Sequence, residues 1–199
     1  MSLGRQLRSA VLLFIVLSVI TGGIYPLVVT GIAQVGFPRQ ANGSLIVDKA
    51  GNVIGSSLIG QNFDAPEYFH PRPSSAGANG YDSSASSGSN LGPTNKKLLD
   101  GIKSNVDSYR QDNGLSADAL IPVDAVTGSG SGLDSDISPD NAALQVARVA
   151  KARGATEDQI RQVVSQATTG RTLGILGEPR VNVLQLNLAL DSAFPKKAP

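Results

Sequence analysis

Few residues of this 199-residue chain have the types and spacing that chemistry needs. His70 is the only histidine, and there is no cysteine. The lack of cysteine excludes disulfides, thiolate zinc sites and thiolate nucleophiles. A serine hydrolase would have to pair His70 with a serine of Ser129-Gly130-Ser131-Gly132-Leu133-Asp134. That run places Gly130 where a nucleophile elbow needs serine. Its composition suits an anion-binding nest or a tight turn after a strand. His70-Pro71-Arg72-Pro73 is stiffened by two prolines and fits a surface or interface segment, because a general base needs partners that this sequence does not display. Asp134 and Asp136 offer a cation fewer oxygens than calcium takes, and an acidic loop leading to a helix N-cap is the preferred reading. No Gly-Lys dipeptide occurs, which closes the P-loop route. The inventory yields no catalytic set and no metal site.

The elements that must position these residues begin with a membrane anchor. No charged residue lies between Ser9 and Pro38, and a span needs ~20 apolar residues to cross ~30 Å of hydrocarbon. We expect a short cytoplasmic N-terminus over residues 1–9 and a transmembrane helix over 10–35. A cleavable signal ending near Thr21-Gly22-Gly23 is the competing reading, but the apolar run continues well past that point. Arg5 and Arg8 precede the span, and basic residues at one end of a span tend to stay cytoplasmic. The remaining residues, 36–199, are then an extracytoplasmic domain. Within the span, Ser18 and Gly22 have the spacing that lets another helix approach, although small residues are common in membrane helices. Pro26 adds an expected kink.

Past a turn-rich joint at Gln40–Gly43, two apolar runs, 44–48 and 53–59, read as a hairpin. Residues 71–95 are rich in Ser, Gly, Asn and Pro, and by composition form a long loop that is either flexible or held by a partner. Asn95 opens a helix whose apolar residues are Leu98, Leu99, Ile102, Val106 and Tyr109, with Gly114 as its stop. Residues 120–126 read as a strand in spite of Pro122. Ser138-Pro139 starts the next helix, carried by Ala142, Ala143, Val146, Val149 and Ala150 and ended by Gly154. Thr156 and Gln159 form a capping box for another. The tail from Asn182 to Phe194 alternates like a strand at Leu184, Leu186, Leu188 and Leu190, but its composition favours helix. The fold class expected is a single N-terminal transmembrane α-helix followed by a mixed α/β extracytoplasmic domain. With 17 basic and 16 acidic residues, a net charge of +1, nothing points to nucleic acid.

Several segments in order resemble the C subunit of the Kdp-type potassium-transporting ATPase. In the anchor they are Tyr25-Pro26 and Val29–Gln34, followed by Gln40–Ser44, Gly55-Ser56, Leu58–Gln61 with Phe63, and Tyr68-Phe69 leading to Arg72-Pro73-Ser74. Ser87–Asn95, Pro122–Thr127, Ser129–Asp134, Ile137-Ser138 and Gln145–Arg153 come next. Gly170–Gly174 and Gly177–Leu184 complete the set. One departure is Ser135, where the family often has proline after Leu-Asp. The resemblance implies a non-catalytic accessory subunit of an ATP-driven potassium importer in the cytoplasmic membrane. Its implied partners are a channel-like A subunit, an ATP-hydrolysing B subunit, a small F subunit and membrane lipid. ATP and potassium are used by the complex, and no cofactor is assigned to this chain. The implied roles are assembly, covering the ion entrance of the channel-like subunit, and raising ATP affinity as a catalytic chaperone.

For that last role the resemblance points to Ser129, Gly130, Ser131, Gly132, Leu133 and Asp134. An N-inside topology puts this loop on the side opposite cytoplasmic ATP, so any effect on ATP must be indirect. Partner-interface candidates are Arg72, Ser89, Asn90, Thr94, Asn95 and Arg180, and candidates for packing in the membrane are Ser18, Gly22 and Pro26. The rival classes are a membrane-tethered hydrolase and a solute-binding module that acts alone. Orientation is directly measurable: a reporter active only outside the cytoplasm, fused after Pro199, should be active. Activity of a cytoplasm-only reporter at that position would reverse the topology.

Overall fold

Pro26 lacks an N–H, and the helix that contains it has an irregularity immediately before it. The computed structural model describes residues 2–195 and divides the chain into two units, Met1–Val53 and Ile54–Pro199. The first unit opens with α1 (Leu3–Val19), a π-helical turn (Ile20–Ile24) and α2 (Tyr25–Gly36). Within the π turn the Tyr25 N–H reaches back five residues to the Ile20 carbonyl. A proline ring clashes with the carbonyl four residues earlier, and widening the preceding turn is a recognised way to absorb such a conflict. The Thr21 hydroxyl donates to the Leu17 carbonyl at 2.7 Å. Leu3–Gly36 is one continuous helical run of 34 residues with a mean hydropathy of 2.4 in its most apolar stretch. Its uncharged part, residues 9–36, is ~40 Å long at the α-helical rise, more than the ~30 Å a bilayer core requires.

After Phe37 a single turn, α3 (Pro38–Ala41), takes Gln40 and Ala41 out of the expected loop, so the joint is shorter and centres on Gly43 (φ +84°). β1 (Leu45–Val47) follows. Asp48 organises the next turn, accepting from the N–H groups of Ala50 and Asn52, both at 2.8 Å, and from the Asn52 amide at 3.0 Å. These hydrogen bonds, led by the Asn52 side chain, hold the Asp48 carboxyl below its ordinary range.

The second unit is a mixed α/β domain. β2 (Val53–Ser56) is shorter than the expected run, because residues 57–58 turn and Ile59 makes only a bridge to Ser56. α4 (Lys96–Asn113) is capped by the Asn95 side chain on the Lys97 N–H and ends at left-handed Gly114. Leu99 points to solvent, and the half-buried face runs through Leu98, Ile102, Val106 and Tyr109. The strand expected over 120–126 does not form. Val123–Val126 is instead a helical turn, α5, behind Pro122. Pro122 has no N–H to give a ladder, and the helical turn buries Ala125 and Val126 while aiming Asp124 at the next element. Asp124 accepts from the Ser138 N–H (2.8 Å), the Ser138 hydroxyl (2.9 Å) and the Asn141 amide (3.0 Å).

β3 (Asp136–Ile137), α6 (Pro139–Arg153), α7 (Glu157–Ala167), β4 (Thr168–Thr169), β5 (Arg180–Asn182) and α8 (Val183–Ala193) complete the domain. Ser138 and Thr156 cap α6 and α7, the latter in the expected capping box, and Gly154 is the left-handed end of α6. The tail is helical, as its composition suggests, with Leu186 and Leu190 fully buried. β5 is the centre of a three-stranded antiparallel sheet, pairing Val181 with Ile137 on one side and Thr168 on the other. Phe69, Val146, Val149, Ile160, Val181 and Leu186 form the heart of the core.

Phe69 reaches that core on an irregular segment that follows the turn at Ala65–Tyr68 and lies in no sheet. Its backbone is satisfied by side chains. The Phe69 N–H donates to Asn187 Oδ1 (2.9 Å) and its carbonyl accepts from Asn187 Nδ2 (3.0 Å). Gln145 does the same for His70, at 2.7 and 3.1 Å. Arg148 donates to the carbonyls of Pro66 and Tyr68, and Arg153 to that of Glu67. A buried backbone group left without a partner costs ~1–3 kcal/mol. Gln145→Leu removes the partners of the half-buried His70 N–H and carbonyl at similar side-chain size, so we expect a loss of about 2–4 kcal/mol. Urea unfolding of the detergent-solubilised chain measures it, and a change under about 0.5 kcal/mol would show that the clamp contributes little.

Candidate functional site

The clamped segment delivers Arg72 and the polar loop to the glycine-rich loop, and the candidate site is built from these three parts. Arg72 Nη1 meets Asp134 Oδ2 at 2.7 Å and Nη2 reaches the Gly128 carbonyl at 3.4 Å. Ser74 Oγ accepts from the N–H groups of Ala76 and Tyr81 and donates to the Gly132 carbonyl at 2.6 Å. The Ser87 N–H and the Ser86 hydroxyl both donate to the Ser131 carbonyl, at 2.9 and 3.0 Å, and the Gly60 N–H donates to Leu133 O at 2.8 Å. Residues 71–95 contain no helix or strand and bury Ala76 completely. Their serines take over the hydrogen bonding that a ladder would supply, so a partner within the same domain holds the loop.

This packing explains Gly132, whereas a Cβ at Gly130 would meet open space. Gly132 sits at φ +67°, and a Cβ there would lie 2.5 Å from the Ser87 carbonyl oxygen and 2.8 Å from the Ala76 nitrogen. The loop's own N–H groups are partly committed: Gly132 donates to Ser129 Oγ and Leu133 to Ser131 Oγ. Ser129 and Ser131 touch each other at 3.3 Å. Among the described residues no hydrogen bond joins either serine to His70. The His70 ring nitrogen Nε2 lies 3.1 Å from the Ala65 carbonyl, which requires the Nε2–H tautomer in the neutral ring. No group of three or more candidate metal ligands occurs among the described residues.

Of the six partner-interface candidates, Arg72 and Arg180 are brought together. Both line one groove of about 580 Å³ with Asp124, Asp134, Asp136 and Glu178. Arg180 Nε meets Asp136 Oδ2 at 3.1 Å, so each of the two arginines is paired with an aspartate. Asn95 serves as the cap of α4. Ser89, Asn90 and Thr94 are exposed and make no side-chain hydrogen bond among the described residues, and Asn90 is left-handed at φ +53°. Ser18, Gly22 and Pro26 lie in the first unit, on or beside the π turn. The residues that sequence reasoning missed are Gln145, Arg148, Arg153 and Asn187. The signal for two of them was available: Gln145, not Ala143, occupies the buried stripe of α6 beside Ala142, Val146, Val149 and Ala150, and Asn187 lies among buried leucines.

A second cleft, of about 320 Å³, is lined by Asp64, His70, Arg72, Tyr81, Tyr109 and Asp112, among others. Burial raises both tyrosines well above their ordinary range, with Asp134 adding to the effect at Tyr81. The Tyr81 hydroxyl donates to the Arg72 carbonyl at 2.7 Å.

The description of one family model, "K+-transporting ATPase, c chain", fits residues 7–192, nearly the whole chain. The chain belongs to this family, KdpC. Relatives named potassium-transporting ATPase KdpC subunit bear this out. The chain is 58% identical to that of Mycobacterium tuberculosis over 187 residues, covering 94% of this chain and 98% of the relative. It is 58% identical to that of Gemmatimonas aurantiaca over 188 residues (94% and 93%), and 52% to that of Koribacter versatilis over 196 (98% of each). A KdpC chain is an accessory subunit of a potassium-transporting membrane complex and not its catalytic subunit. The tethered-hydrolase and solute-binding readings are not favoured.

Burial lowers the pKa of His70 from its ordinary 6.5, and nearby Arg148 adds to this, against the Ala65 carbonyl, Asp112 and Asp64, which raise it. A histidine lowered by folding binds its proton more readily in the unfolded chain, so stability is full above 6.5 and falls as pH drops toward the folded value. The chain has no second histidine, and Asp48, Asp82 and Asp118 are shifted below 3.8. Stability of the chain in detergent should therefore decline from pH 7 to pH 5, and His70→Gln should flatten that decline. An unchanged slope in the variant would assign it elsewhere.

Proposed function

We propose that this chain stabilises the assembled potassium importer from outside the cytoplasm, held by its single span and covering the ion entrance of a channel-like subunit. Its partners in this reading are the channel-like A subunit, the ATP-hydrolysing B subunit and the small F subunit. The observation that carries it is the family match from residue 7 to residue 192, together with one helix long and apolar enough to cross a membrane. The N-inside orientation rests on Arg5 and Arg8 ahead of the uncharged span.

The glycine-rich loop acts here as a structural hub and not as a nucleotide contact. Its carbonyls at Gly128, Ser131, Gly132 and Leu133 already accept from Arg72, Ser86, Ser87, Ser74 and Gly60. Any rise in ATP affinity of the B subunit is a coupling between separate sites, which needs no contact with ATP. The groove between Arg72 and Arg180, with the exposed Ser89, Asn90 and Thr94, is the polar face offered to the channel-like subunit.

Affinity purification of the tagged chain from mild detergent extracts should recover three further membrane chains. Omitting this chain should lower the yield of the remaining complex and raise its KM for ATP. Recovery of the tagged chain alone would overturn the subunit reading. A complex with an unaltered KM would remove the effect on ATP.

A further inference from the structure

Between β4 and β5 the chain leaves the domain and returns, and its tip is apolar. Leu173, Ile175 and Leu176 are 85, 75 and 56% exposed. The turn is nevertheless fixed. Thr172 and Leu176 exchange N–H···O bonds at 2.9 Å each, and the Gly174 N–H donates to the Arg171 carbonyl at 3.0 Å. At its base, Arg171 Nη2 meets Glu178 Oε2 at 2.7 Å. Leu173 has φ +54°, in the left-handed region that costs any residue with a side chain. With its side chain in water, Leu173 gains no burial inside the domain that offsets this cost. Such strain persists where it has a use.

We infer that residues 171–178 are a docking tip whose Leu173 and Ile175 enter an apolar pocket on another protein subunit of the same potassium-transporting complex. The inference rests on the reading of the chain as an accessory subunit of that complex. A lipid surface is the poorer occupant. Headgroup binding draws on unpaired basic residues, whereas Arg171 is neutralised by Glu178 and Arg180 by Asp136. A bilayer accepts any apolar shape, while a turn fixed at a strained leucine is preorganised for a shaped surface. A second copy is also poorer, because three side chains fall far short of the ~1,200 Å² of a free-standing stable interface. A subunit embedded in the same membrane is held at high local concentration, so a small anchor suffices.

The test uses the intact complex purified from membranes. A photo-crosslinking residue replacing Ile175 should join this chain to one other subunit on illumination. Crosslinks only to lipid or detergent, only to a second copy of this chain, or none at all from an intact complex would each overturn the inference. The double variant Leu173→Ser, Ile175→Ser should leave the melting of the chain unchanged, since both side chains are exposed, while complex recovery drops at least tenfold. Wild-type recovery from the variant would also overturn it. If the wild-type complex fails to copurify before illumination, the accessory-subunit reading has failed, and the docking inference falls with it.

Discussion

A backbone segment with no strand beside it has to find hydrogen bonds inside a core, and this requirement at Phe69–His70, just past the turn at Ala65–Tyr68, orders the rest of the domain. Water cannot reach Phe69, and no ladder is present, so the partners must be side chains. Two primary amides serve well because each presents a donor and an acceptor with the spacing of a peptide group. Asn187 on α8 and Gln145 on α6 therefore act as a one-residue strand apiece. The two helices must sit where their amides straddle Phe69 and His70. Arg153 fastens the other end: its guanidinium joins the Glu67 and Phe194 carbonyls to Asp191, with Tyr68 beneath it.

From that fixed segment the chain passes directly to Arg72, and the two long irregular stretches are then sewn together. Neither 71–95 nor 127–135 has regular structure of its own to rely on. Each supplies what the other lacks: serine hydroxyls and N–H groups on one side, free carbonyls on the other. The result is a stiff polar face made of loops. A face of this kind can be read by a neighbouring protein because its groups are held in place before contact, which limits the ordering cost of association.

Much of this was legible in the sequence where a local rule decides the outcome. Asn95, Ser138 and Thr156 announce helix starts through a short-range hydrogen bond, and Gly114 and Gly154 announce ends through the conformation that only glycine adopts freely. The apolar run announces the long N-terminal helix through length alone. Legibility stopped where the answer depends on distant residues. Residues 120–126 look like a strand, yet Asp124 is needed at the start of α6, and a helical turn is what brings it there. Arg72, between two prolines, looks free to bind elsewhere, because Asp134 is 62 positions away. Gln145 and Asn187 read as interruptions of apolar stripes, since their partner backbone is more than seventy residues distant in each case.

The widened turn at Ile20–Ile24 changes how the long apolar helix should be drawn on a helical wheel. On an uninterrupted α-helix, Ser18 and Pro26 stand about 80° apart in azimuth at 100° per residue. A turn closed by a bond from residue 25 to residue 20 holds one extra residue and sets the azimuth back by about 100°. The small and bent positions then fall within about 20° of a common line, which a uniform projection would scatter. The same phase slip applies to every side chain beyond it, so residues on either side of Gly22-Gly23 that a regular wheel assigns to one face belong to different ones.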